Sequence, residues 1–234
     1  MLGLDHVTKC FGQRKIFDAI SYQFEAGKVY ALVGHSGSGK TTLLNMLVKL
    51  DSYDDGEIVY KGKNLTSIAE REFFRQELGY LFQNFGLLDS QTIQENLDLG
   101  FVGQKLTRAD KLVRSKEALK KVGLAYLDLK IKIFELSGGE AQRVALAKII
   151  LKNPPLILAD EPTAALDPET SQDIMNILLS LKGQDRLIII ATHNPMIWAM
   201  ADEVVELFVK VGFASLFILN ENQKENEETS RRHN

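Results

Sequence analysis

The chain has 234 residues, 45% of them hydrophobic and 25% charged, with a net charge of −3: enough for one globular domain with a good core, and no global basic field for nucleic acid. A single cysteine, Cys10, excludes an internal disulfide and suits a reducing compartment. Asp5, His6, Lys9 and Gly12 interrupt any secretory apolar core, and the late apolar stretch 204–219 holds Glu206 and Lys210 and is too short for a spanning helix, so the chain is not expected to cross a membrane by itself.

From the N-terminus, residues 2–30 alternate loosely, with turns at Phe11-Gly12 and Ala26-Gly27, and predict short β-strands. VYALV (29–33) predicts a buried strand. Directly after it stand Gly34, His35, Ser36, Gly37, Ser38, Gly39, Lys40, Thr41 and Thr42. The pattern G-x-x-x-x-G-K-[ST] is complete in Gly34, Gly39, Lys40 and Thr41. Glycines let successive N–H groups converge on one anion, a lysine at this place reaches terminal phosphates, and the Thr41 hydroxyl suits Mg²⁺. Leu43, Leu44, Leu47 and Val48 then mark a helix whose N-terminus adds positive potential. A plain turn needs neither the lysine nor the hydroxyl, so a nucleotide is the expected ligand.

Residues 56–65 predict a hairpin turning at Lys61-Gly62, and Ser67 with Glu70 predicts a capped helix to about Glu77. LGYLFQ (78–83) predicts an apolar strand. Thr92 with Glu95 and Thr107 with Asp110 open two more helices. The second is expected to end near Gly123, with Leu112, Val113, Leu119 and Val122 on one face. Residues 84–152 are thus expected to be wholly helical. LILAD (156–160) and LIIIAT (187–192) predict buried strands separated by a helix over 168–182, an alternation that implies a parallel sheet with crossover helices. The tail from Asn220 is polar, lacks aromatics and is expected to be disordered.

Two places carry further chemistry. Asp160 and Glu161 follow a buried strand, and the carboxyl edge of a parallel sheet is where ligands bind. Asp160 there can hold Mg²⁺ through water, and Glu161 can polarise a water against a γ-phosphate. A solvated turn before Pro162 explains one acid better than two. In LSGGE, Ser137 and Glu140 fit a capping box, a sufficient structural reason for both. Glycine, however, costs a helix roughly 1 kcal/mol at an interior position, and the pair Gly138-Gly139 at a helix start beside a serine hydroxyl suggests close approach of a phosphate.

With these residues in place, residues 2–207 resemble the ATP-binding subunit of an ABC transporter, and LSGGE resembles that family's signature motif. The resemblance implies an α/β fold: a P-loop NTPase (RecA-like) core with an antiparallel β subdomain and an inserted α-helical subdomain at about 84–152. Residues 208–234 form a C-terminal extension. It also implies ATP and Mg²⁺ as ligands. Phe11 stands at the adenine-stacking position, though a core aromatic on a strand explains it equally well. Residues 34–42 match the Walker A loop, and Gln83 matches the glutamine that touches Mg²⁺ and the attacking water. Asp160 matches the Walker B aspartate and Glu161 the catalytic base. Asp167, in ALD (165–167), matches the D-loop, although Asp167-Pro168 is also an ordinary helix start. His193 matches the switch histidine; most relatives continue with aspartate, whereas here Asn194-Pro195 follows.

The same resemblance implies a head-to-tail homodimer closed by ATP, in which Ser137, Gly138, Gly139 and Glu140 of one chain meet the nucleotide of the other. It further implies an integral membrane permease as partner, no nucleic acid, and a cytoplasmic place on the inner face of the membrane. LFQNFGLLDSQTIQENL (81–97), residues 134–167 and ATHNP (191–195) look most like the lipoprotein-releasing and macrolide-exporting group, and within it like bacteriocin export subunits. Export of a bacteriocin or peptide is therefore the expected function. Signalling or mechanotransmission through a membrane protein that transports nothing is the alternative. A DNA-repair ATPase needs a long coiled coil between Lys40 and Ser137, where no heptads are sustained.

Overall fold

The computed structural model describes residues 1–164, 166–210 and 213–218. The disorder expected from Asn220, and Ala165 of the D-loop-like segment, lie outside the described residues. In chain order the first elements are β1 (Leu2–Phe11), β2 (Arg14–Phe24), β3 (Val29–Val33), α1 (Lys40–Leu47), β4 (Asp55–Tyr60), β5 (Lys63–Asn64), α2 (Glu70–Glu72) and β6 (Leu78–Leu81). Then follow α3 (Ile93–Asp98), α4 (Arg108–Lys121), α5 (Gly138–Lys152), β7 (Leu156–Asp160) and α6 (Pro168–Ser180). The chain closes with β8 (Leu187–Ala191), α7 (Pro195–Trp198), β9 (Glu203–Lys210) and β10 (Phe213–Ile218). No helix among the described residues is long and apolar enough to cross a membrane.

The chain divides into two compact units, one of Met1–Glu70 with the chain from Gly183 onward, the other of Arg71–Lys182. In the first, the strands run β5-β4-β1-β2-β10-β9-β3-β8. β1 pairs antiparallel with β2 and β4, while β3 pairs parallel with β8 and β9. The predicted hairpin forms, with Lys61 at φ 49 and Gly62 at φ 76. Positive φ at both central residues is the type I′ geometry that matches strand twist. Every residue of β3 and of β8 is buried, as unbroken apolar runs in a parallel arrangement require. Each such Val, Leu or Ile side chain contributes about 1.5–3 kcal/mol on burial.

In the second unit β6 and β7 pair parallel, and α5 packs against α3, α4 and α6. The capping boxes at Thr92/Glu95, Thr107/Asp110 and Ser137/Glu140 all form. Three expectations need correction. Ser67 caps nothing: its hydroxyl donates to the Asn64 carbonyl at 2.7 Å, Asn64 caps the 3₁₀ turn Leu65–Ser67, and the following helix becomes a π turn at Phe73. On α4, Leu112 and Val113 are exposed, and Ser115, Ala118 and Leu119 make the buried face with Val122. Residues 84–152 are not helical throughout, since α3 ends in a 3₁₀ turn at Leu99–Phe101 and turns occupy most of 122–132.

Candidate nucleotide-binding site

The glycine loop between β3 and α1 is held open by sterics. A side chain at Gly34 would lie 2.6 Å from the Leu207 carbonyl oxygen, and one at Gly39 would lie 2.8 Å from Phe17 Cζ. Gly37 has open space around it, so its φ of 77 is what calls for glycine there. Lys40 is buried, its Nζ donating to the carbonyls of Gly34 at 2.8 Å and His35 at 3.3 Å. The Ser38 hydroxyl is buried with no hydrogen-bond partner among the described residues. Most informative is the start of α1. Its N-cap, Gly39, makes no side-chain cap, whereas Thr92, Thr107, Ser137, Asp167 and Asn194 cap α3, α4, α5, α6 and α7. The first-turn N–H groups of α1 are therefore left for an anion. Thr41 is exposed and Thr42 half-buried on that turn.

Two further predicted residues belong to the same unit. Leu32 of β3 faces Ala191 of β8, so Gly34 and His193 each stand two residues past a paired position at the carboxyl edge of adjacent strands. His193 is exposed. Phe11 ends β1 and is 52% exposed, which removes the core-aromatic explanation, and the Lys9 ammonium lies 4.7 Å from its ring centroid. Its hairpin partner strand supplies Phe17, the residue against Gly39. Phe11→Ala is expected to weaken ATP binding by about 0.5–1.5 kcal/mol, the worth of an aromatic stack beyond burial. Calorimetry should show this without a change in melting temperature, and Phe11→Tyr should bind normally. A melting transition lowered with unchanged affinity would assign the ring to folding alone.

In the second unit the register Leu81 opposite Ala159 leaves Gln83 and Glu161 each two residues beyond the last pair of β6 and β7. Gln83 is exposed, and Asp160 is 7% exposed at the end of β7. Burial, reinforced by Asp160, holds the Tyr80 phenol above its ordinary range. Glu161 has φ 46, a left-handed backbone that a glutamate rarely adopts, and its carbonyl accepts from Ala164 N at 3.2 Å. Nothing in the residue order foretold that conformation. Asp167 is exposed and caps α6 by accepting from Thr170 N at 2.9 Å, with Pro168 next, so its helix-start role is real. Asn194 likewise accepts from Met196 N at 3.0 Å.

The LSGGE segment heads α5. The exposed Ser137 hydroxyl donates to Glu140 Oε2 at 2.7 Å and accepts from Glu140 N at 3.3 Å. The Ser137 N–H, donating to Glu140 Oε2 at 2.8 Å, followed by the Ser137 hydroxyl and the Tyr126 hydroxyl on Oε1, holds the Glu140 carboxyl below its usual range. The two glycines differ. A side chain on Gly139 would meet Thr170 Cγ2 at 2.9 Å, so the close approach of α5 and α6 already requires glycine there. At Gly138 the nearest atoms, on Leu166 and Phe85, are 3.7 Å away, an ordinary contact, and packing does not demand glycine. Phe85 belongs to the segment after Gln83, so that segment and the head of α5 meet within this unit. Lys148 of α5 adds a second tie, donating to the Gly86 carbonyl at 2.7 Å; burial, with Lys152 nearby, pushes its amine down to about 8. Neither Tyr126 nor Lys148 was marked by the sequence, since an apolar-looking helix face does not announce which lysine turns inward.

Comparison with known proteins gives the family and the fold. Residues 17–164 match the family described as ABC transporter. The chain is 38% identical over 199 residues to an uncharacterized ABC transporter ATP-binding protein, Rv0986, of Mycobacterium tuberculosis, covering 83% of this chain and 80% of that one. It is 37% identical to the methionine import ATP-binding protein MetN of Rhizobium johnstonii (86% of this chain, 56% of the relative). To the macrolide export ATP-binding/permease protein MacB of Pasteurella multocida it is 32% identical (88% and 33%). Among solved structures, the dimeric post-hydrolysis state of the ATP-binding cassette MJ0796 bound to ADP and Pi superposes with a TM-score of 0.81 at 30% identity, over 94% of this chain and 99% of that one. The fold is that of the P-loop NTPases, and the chain belongs to the ABC transporter family as an ATP-binding, ATP-hydrolysing subunit.

Proposed function

We propose that two copies of this chain, closed head to tail by ATP, energise a separate membrane permease that exports a peptide or bacteriocin. The observation that carries the nucleotide half is the preformed loop, with its uncapped helix start and inward-held Lys40. In this reading residues 34–42 cradle the phosphates, Phe11 stacks on adenine, Glu161 accepts the proton of the attacking water, and Gln83 and His193 orient that water and sense the γ-phosphate. The hard oxygen donors needed for Mg²⁺ are present in the Thr41 hydroxyl, the Gln83 carboxamide and the Asp160 carboxylate, and Mg²⁺ bound through few protein oxygens together with substrate phosphates suits such a set. When bound there, the cation would supply positive charge against the phosphates. Asp167 and residues 137–140 are assigned to the partner chain's nucleotide.

Export is supported by the likeness of residues 81–97 and 134–167 to the exporting group and by the match to MacB. The matching methionine import protein makes import the competing direction. The permease places the subunit on the inner face of the membrane. Two measurements test the whole. In a Glu161→Gln background with Mg²⁺ATP, light scattering should show dimers, and adding Ser137→Arg should leave monomers; equal dimer fractions would reduce LSGGE to a helix cap. Inside-out vesicles carrying the chain with its co-purified permease should then take up peptide when ATP is added. Release of preloaded substrate would establish import, and ATP hydrolysis without movement would establish the signalling alternative.

A further inference from the structure

Helix α5 buries a polar side chain that no role above uses. Gln142 is 1% exposed, and the residues three, four and seven positions on along the same face, Ala145, Leu146 and Ile149, are buried and apolar. Its Nε2 donates to the Pro162 carbonyl at 2.7 Å. A carbonyl only accepts, so the amide's orientation is fixed, and its Oε1 is left buried with no hydrogen-bond partner among the described residues. An unsatisfied buried acceptor is unfavourable, and an apolar residue would avoid it. The gain lies at Pro162. That residue follows Glu161, whose left-handed backbone persists only where the surroundings hold it. Proline has no N–H of its own, so its carbonyl is the handle by which the turn can be gripped.

We propose that Gln142 is a positioning residue for Glu161, gripping the Pro162 carbonyl so that the strained turn keeps the carboxylate aimed. This rests on Glu161 acting as the base. The grip also links that aim to the head of α5, because Ser137 stands only five residues before Gln142 on the same rigid element. A shift of the Ser137 end then reaches Glu161 through one hydrogen bond.

The test uses the full chain with Mg²⁺ATP. Gln142→Met keeps the length and removes the donor, and Gln142→Glu keeps the shape but turns an oxygen toward the carbonyl. In both, kcat should fall about tenfold or more while KM and calorimetric ATP affinity stay within about twofold, as misaimed catalytic groups require. Added to Glu161→Gln, Gln142→Met should slow residual single-turnover hydrolysis by less than about twofold, because the group it aims is already gone. Unchanged kcat in either variant that binds ATP normally, loss of ATP binding in both, or a full further loss on the Glu161→Gln background would each overturn the proposal. Wild-type turnover in Glu161→Gln alone would instead remove Glu161 as the base, and that result is separable from any Gln142 measurement.

Discussion

Glu161→Gln should bind ATP with wild-type affinity and hydrolyse it on the order of 10²–10⁴ times more slowly, the usual worth of a positioned general base. The amide matches the carboxylate in size, so the loss isolates proton acceptance from shape. The backbone argument strengthens the expectation, because both residues carry a Cβ and meet the same left-handed φ of 46. Stability should therefore change little, and any loss of rate belongs to chemistry. Phosphate release under single-turnover conditions is the measurement. Turnover near the wild-type rate would remove Glu161 from the mechanism.

Lys40→Ala should weaken ATP binding by about 1.5–3 kcal/mol, the range for a hydrogen bond to a charged group, or roughly tenfold to a hundredfold in Kd. The amine is buried and held by the carbonyls of Gly34 and His35, so it is already inside the loop that phosphates would enter. Those two bonds also stitch the loop, so the variant's melting temperature without nucleotide separates fraying of the loop from lost contact with phosphate. Calorimetry with Mg²⁺ that shows unchanged affinity would mean the loop does not cradle the nucleotide.

Much of the fold was legible where a pattern has one physical solution. The runs at 29–33 and 156–160 became buried strands with those bounds, and the one expected over 187–192 became a buried strand ending one residue earlier, at Ala191. Paired Thr/Glu, Thr/Asp and Ser/Glu spacings became capping boxes because both partners were free to reach the first turn. Ser67 failed because Asn64, three residues earlier, captured the local turn and took the serine hydroxyl onto its own carbonyl. Leu112 and Val113 failed because hydrophobicity alone does not phase a short helix, and the neighbours Ala118 and Leu119 decided which face turned inward. At the candidate site, residue types and order were visible. The strain at Glu161, the packing duty of Gly139 against Thr170 and the grip of Gln142 were not, for each depends on a distant partner that only folding brings near.

With Glu161 as the proposed base, its left-handed turn sets activity against stability at a single position. A non-glycine residue in that backbone region costs on the order of 1–3 kcal/mol, and glycine would relieve it. Yet glycine carries no carboxylate, so the residue that would fold most comfortably there could not take a proton from water. A native protein is typically stable by only about 5–15 kcal/mol, so this one conformation consumes a sizeable share of the margin. Screens of this chain for thermal robustness alone would be drawn toward glycine at 161 and would recover a sturdier protein that binds ATP and does not turn it over.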